Sequence, residues 1–138
     1  GYECMPSYIS DDAGPFGRNI EPSGRIRREL RAKGFETPVI VTGGIHGFQL
    51  AEKILRDGDA DIVGAARQAR ADPDWFRKVH LGRGEEVRVC TYSNYCEGLD
   101  QKHKLVTCKL WDRLDLEAPG VKFSEDGKRR TTAPKWDQ

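Results

Sequence analysis

Two short apolar runs, each ending in small residues, constrain this chain more than anything else in it. Val39-Ile40-Val41 is β-branched throughout and runs into Gly43 and Gly44. About twenty residues later Ile62-Val63 runs into Gly64, Ala65 and Ala66. Continuous apolar runs of this kind read as parallel strands buried on both faces. Between them Phe48, Ala51, Ile54 and Leu55 recur at helical spacing, and Gly58 stops that helix. Strand, helix and strand make a βαβ unit with a right-handed crossover. Two parallel strands cannot cover both of their own faces, so more strands have to come from elsewhere.

A helix is expected on either side of the unit. From Ser23, Ile26 and Leu30 share one face, Arg25, Arg27, Arg28, Arg31 and Lys33 form a solvated outer face, and Gly34 ends the helix. After the second strand, Asp72-Pro73-Asp74 opens another, with an N-cap carboxylate, Pro in the first turn and acid at the positive end. Trp75, Phe76 and Val79 supply its apolar side. The chain therefore divides into a loop segment over 1–22, βα units over 23–89, a cysteine-containing segment over 90–114 and an irregular tail over 115–138. The tail mixes charges of both signs without period, and Lys128-Arg129-Arg130 reads as an exposed basic turn.

Composition excludes several partners. A formal charge of +1 over 138 residues gives no general attraction to nucleic acid or anionic membrane. No apolar run approaches twenty residues, so no membrane-spanning helix is expected. No secretion leader is recognisable, so a cytoplasmic chain with reduced thiols is expected. The opening residues "GYECMPSYIS" read as the middle of a longer polypeptide.

The glycine turns have a chemical use. A strand that ends in Gly-Gly presents bare N–H groups to an anion with no Cβ in the way, and the next helix adds its positive end. Arg67 follows the second strand, and a guanidinium can grip a phosphate at two points. Adjacent βα turns of this type form the phosphate site after strands 7 and 8 of a (β/α)8 TIM barrel. The alternative is a plain tight turn with Arg67 on the surface.

The span "TPVIVTGGIHGFQLAEKILRDGDADIVGAARQARADPDWFRKVHLGRGEEVRVC" resembles the C-terminal part of old yellow enzyme-like NADH:flavin oxidoreductases. Within that family it is most similar to the 2,4-dienoyl-CoA reductase and trimethylamine dehydrogenase branch. The similarity covers residues 36–96, carried by "VTGGI" and "AARQARADPDW". It implies an α/β fold, the C-terminal portion of a (β/α)8 TIM barrel with about strands 7 and 8. It also implies FMN as cofactor, NAD(P)H as co-substrate and an activated alkene or related acceptor. Gly43, Gly44, Ala66 and Arg67 would then hold the FMN phosphate.

Ala66 stands where the family has glycine and Gln68 where it has proline. A methyl group at 66 would crowd the phosphate if that residue needed positive φ. No substrate-activating residue is among those present, so no catalytic residue is assigned. A barrel needs about 250 residues, so an N-terminal portion or a partner chain is expected to complete this one, and the chain alone to be inactive. The second functional reading is a non-enzymatic barrel remnant that pairs with a partner chain without flavin.

The same branch carries a [4Fe–4S] cluster on four cysteines. Here Cys90, Cys96 and Cys108 match three ligand positions, and Ser93 takes the fourth, which argues against the cluster. Zinc on the three cysteines with His103 does not match the spacing of structural zinc sites. No metal is therefore assigned. His46 and His80 are expected in surface or helix-end roles.

Overall fold

The computed structural model describes residues 16–45 and 47–136, so His46 and most of the 1–22 segment lie outside the described residues. The chain forms two compact units, residues 1–66 and residues 67–138.

In the first unit α1 (Ile20–Ala32) starts three residues before the expected Ser23. Pro22 falls in its first turn, where a missing N–H costs nothing. Gly34 ends the helix with φ +79°, and Phe35 N–H donates to Leu30 O at 2.9 Å. Strands β1 (Ile40–Thr42) and β2 (Ile62–Gly64) pair in parallel, Ile40 opposite Ile62, Val41 opposite Val63 and Thr42 opposite Gly64. Helix α2 (Gly47–Arg56) connects them, and Gly58 closes it as expected, Asp59 N–H reaching Ile54 O at 3.0 Å. Val41, Ile45, Ile54 and Ala60 form the buried core.

Two expectations need correction here. The strands are not buried on both faces: Val41 is 1% exposed, whereas Ile40 and Ile62, side by side on the opposite face, are 60% and 47% exposed. Side chains alternate across a strand, and among the described residues nothing covers that second face. Nor are the α1 arginines simply solvated. Arg27 Nε and Arg31 Nη2 each donate at 3.0 Å to a different oxygen of Asp61, which also accepts Val39 N–H at 2.9 Å. Arg27 Nη1 further donates to Gly58 O. The helix is thus riveted to the start of both strands.

The hydrogen bond from Arg27, then that from Val39 N–H, hold the Asp61 carboxyl at about 2. A carboxyl depressed on folding stabilises above its unfolded value, near pH 4, and that contribution disappears as pH falls through the folded value. Asp61→Asn should therefore lower the thermal midpoint at pH 6. The gap to wild type should shrink below pH 4 and close near pH 2, followed by circular dichroism.

The second unit begins within α3 (Ala66–Ala71) and continues through α4 (Trp75–His80), a 3-10 turn (Gly84–Glu86) and α5 (Tyr95–Asp100). Trp75 is buried as expected, but Phe76, stacked against it with ring centroids 4.6 Å apart, is 56% exposed. Asp72 does not cap α4; Asp74 occupies that position, and its side chain makes no cap hydrogen bond. Asp72 is instead fully buried. Its carboxylate accepts Lys78 Nζ at 2.6 Å, Arg88 N–H at 2.8 Å and Asp74 N–H at 3.1 Å.

Among the described residues beyond 115 there is no helix and only an isolated bridge, Phe123 with Arg130, yet this segment is firmly tied down. Arg129 and Arg130, expected on an exposed turn, are 5% and 7% exposed. Arg129 Nη1 donates to Thr107 Oγ1 and Leu105 O, while Arg130 Nη1 donates to Leu114 O and its N–H to Asp112 O. Backbone carbonyls left without partners by irregular chain are satisfied here by guanidinium groups, which is why basic residues lie inside. Trp136 lies against the Lys78 and Arg83 cations, 5.3 and 4.7 Å from its ring centroid, and donates to Glu86. Among the described residues no helix is long and apolar enough to cross a membrane.

Candidate functional site

The parallel register of the first unit sends both strands out of the sheet at one end. Thr42 is opposite Gly64, so the Gly43-Gly44 turn and the Ala65-Ala66 turn leave from the same carboxyl edge. Gly43 and Gly44 have φ of +105° and +62°, conformations that side chains rarely adopt. Asn19 Nδ2 braces the turn by donating to Thr42 O at 2.8 Å, and Gly17 N–H donates to Gly44 O at 2.8 Å. A Cβ on Gly43 would stand 2.7 Å from Asn19 Nδ2, so the brace itself requires glycine.

Ala66 is the first residue of α3 and is not among the residues with positive φ. Its methyl group therefore adds no backbone strain, and the expected crowding does not arise from the backbone at this position.

Arg67 opens the second unit, where its side chain meets Asn94 and Tyr92. Nη1 donates to Asn94 Oδ1 at 2.7 Å, and the guanidinium carbon lies 4.6 Å above the centre of the Tyr92 ring. Tyr92 and Asn94 both have left-handed backbones, with φ of +51° and +55°. Asn94 flanks α5, but its side chain makes no cap bond to that helix. Burial foremost, then the neighbouring Cys90, pushes the Tyr92 hydroxyl up to about 12. The phenol is accordingly neutral at ordinary pH.

Gln68, the departure from the family's proline, is 1% exposed and answers two backbone groups at once. Its Nε2 donates to Arg88 O and its Oε1 accepts Cys90 N–H, both at 2.9 Å. The side-chain amide thus acts as a short piece of partner strand for residues 88–90. Gln68→Ala would orphan both groups, at a cost of about 1–3 kcal/mol each in buried surroundings. The expected result is a fall of several degrees in the melting of this unit, followed by tryptophan fluorescence.

Cys90, Ser93, Cys96 and Cys108 line one cavity beside Arg67 and Tyr92. Burial pushes the Cys90 thiol up, against a Tyr92 N–H that donates to its sulfur at 3.4 Å. Burial likewise pushes the Cys108 thiol up, and the nearby Cys90 and Cys96 push it further. Cys90 and Cys108 thiols pushed towards the protonated form, with the hard Ser93 hydroxyl in the fourth position, do not fit a four-iron cluster, which needs soft thiolates. Among the described residues no group of three or more His, Cys, Asp or Glu side chains is placed to hold a metal ion.

Sequence reasoning singled out Gly43, Gly44, Ala66 and Arg67, and missed Asn94 and Tyr92 as holders of the arginine. Asn94 and Tyr92 lie 27 and 25 residues from Arg67, so nothing local in the sequence connects them.

No protein-family model matches the chain. It is 33% identical over 93 residues to an NADH oxidase of Thermoanaerobacter brockii, covering 67% of this chain and 14% of that protein. It is 36% identical over 74 residues to a bilirubin reductase of Mediterraneibacter gnavus, covering 53% of this chain and 12% of the other. A dimethylamine dehydrogenase of a Hyphomicrobium species is 36% identical over 88 residues, 62% of this chain and 12% of its own. Among solved structures, a 2-naphthoyl-CoA reductase in complex with 2-naphthoyl-CoA superposes with a TM-score of 0.53 at 24% identity. That likeness covers 64% of this chain and 13% of the other, and it concerns the fold alone. The chain thus spans only 12–14% of the length of these curated relatives, all of them oxidoreductases by name. Over the matched segment, it belongs to the old yellow enzyme and trimethylamine dehydrogenase type of NADH:flavin oxidoreductases.

Proposed function

We propose that this chain supplies the FMN phosphate-binding end of an NAD(P)H-dependent oxidoreductase, as the last two βα units of a (β/α)8 barrel. The observation that carries the reading is the common carboxyl edge of β1 and β2, with the braced Gly43-Gly44 turn beside the Ala65-Ala66 turn. In this reading the Gly43 and Gly44 amides donate to the phosphate, α2 adds its positive end, and Arg67 contributes charge with paired N–H groups. Flavin bound there would transfer hydride from the nicotinamide to an activated alkene or a related acceptor. This chain's share is to anchor and orient the cofactor; the groups that meet substrate come from the remaining strands, carried by an N-terminal segment or a partner chain. The exposed Ile40 and Ile62 face supports that need for further strands, since two adjacent isoleucines left in water forfeit their burial energy.

The test is to co-express the chain with the polypeptide supplying the remaining strands, purify the assembly and identify any released flavin by chromatography. FMN in near-stoichiometric amount supports the reading. An assembly that forms without flavin supports the non-enzymatic remnant instead, and FAD or free riboflavin contradicts a phosphate-gripping site.

A further inference from the structure

We infer that Asn19 is a positioning residue for the cofactor's phosphate, its side-chain amide aiming the Gly43 N–H at the anion. The inference rests on the reading of the Gly43-Gly44 turn given above and deepens it.

A turn of two glycines is adaptable, since glycine visits both signs of φ at little cost. Fixing such a turn only when a ligand arrives would lower affinity by the backbone entropy lost. The segment that leads into α1 fixes it beforehand. Asn19 Nδ2 donates to Thr42 O and Gly17 N–H donates to Gly44 O, both at 2.8 Å. A trans peptide is planar, with its carbonyl and its N–H pointing in opposite directions. Thr42 O and Gly43 N–H belong to the same peptide. Drawing that carbonyl onto Asn19 therefore turns the Gly43 N–H to the side away from Asn19. The Gly17 contact fixes the peptide that follows Gly44 in the same way, so the turn is held on both sides of its glycine pair.

Asn19 forgoes a local bond to make this contact. It occupies the N-cap position of α1, where an asparagine side chain commonly accepts an N–H of the first turn, yet it makes no cap hydrogen bond. Its amide instead reaches a carbonyl 23 residues away in the sequence. It also lies close against the bare side of Gly43, where a Cβ would stand 2.7 Å from Nδ2. The side chain is thus spent on the turn and not on the helix that it begins.

Riboflavin differs from FMN only in lacking the phosphate, so the ratio of their dissociation constants reports on the phosphate site alone. The assembly with the completing polypeptide is titrated with each flavin as wild type, Asn19→Ser, Asn19→Ala and Gly43→Ala. The serine hydroxyl is one bond shorter than the amide nitrogen and favours the N-cap of α1. Asn19→Ser should therefore keep its thermal midpoint and its riboflavin affinity. Its preference for FMN over riboflavin should fall about tenfold, the scale of one hydrogen bond to a charged group. Asn19→Ala, with neither donor nor cap, should show the same fall. Gly43→Ala should lose the preference as well, because alanine does not keep φ at +105°. If both Asn19 variants retain the preference while Gly43→Ala loses it, Asn19 has no positioning role and the phosphate reading stands. If Asn19→Ser weakens both flavins equally, Asn19 is merely structural and the inference is overturned. If wild type binds both flavins equally, or Gly43→Ala changes nothing, both readings fall together.

Discussion

Lys78→Met should destabilise the second unit by about 3–5 kcal/mol, the scale measured when one member of a buried ion pair is removed. Lys78 is 2% exposed and Asp72 is fully buried. Methionine fills nearly the same space, so the loss comes from charge rather than from a cavity. Asp72 would retain its two backbone donors, Asp74 N–H and Arg88 N–H, but no cation. The Glu86 carbonyl, which accepts Lys78 Nζ at 3.1 Å, would lose a donor as well. Against total stabilities of about 5–15 kcal/mol for a domain, this is a large fraction. All three tryptophans, Trp75, Trp111 and Trp136, belong to the second unit, so their fluorescence during urea unfolding follows that unit. A loss below about 1 kcal/mol would mean that the pair is solvated in solution. Asp72→Asn combined with Lys78→Met completes a double-mutant cycle and separates the coupling from the desolvation of the orphaned carboxylate.

Arg67→Ala carries the second large effect. If the guanidinium grips the FMN phosphate, its removal deletes one or two hydrogen bonds between charged groups, each about 1.5–3 kcal/mol. FMN affinity should fall about 10–100-fold or more, since each 1.4 kcal/mol is tenfold. Riboflavin affinity should hold, because riboflavin lacks the phosphate that Arg67 would grip. The variant also uncovers one face of Tyr92, so its thermal midpoint is measured beside the wild type to separate binding from folding. Equal FMN affinity in the two proteins would remove Arg67 from the site.

Local signals carried the sequence reading as far as local physics reaches. Gly34 and Gly58 end helices because the chain turns left-handed there, and β-branched runs mark β1 and β2 because they fit a pleated sheet. Features built from distant residues were not legible. Asp72 resembles a helix cap in its own neighbourhood, and only the arrival of Arg88 and Lys78 makes it a buried anchor. Arg27 and Arg31 look solvated until Asp61, 34 and 30 residues on, is brought beneath them. Arg129 looks like part of a basic turn, because its carbonyl partner at Leu105 lies 24 residues back. At the site, the strand-end glycines were readable from their pattern. The holders of Arg67 were not, since an amide acceptor and an aromatic ring have no spacing rule that ties them to an arginine 25 or more residues away.

The most direct measurement is a crystal structure of the completed assembly with FMN. The phosphate oxygens should lie about 2.7–3.2 Å from the amide nitrogens of Gly43 and Gly44 and from the Arg67 guanidinium. A phosphate bound away from the carboxyl ends of β1 and β2, or an Arg67 side chain that does not touch it, would contradict the account.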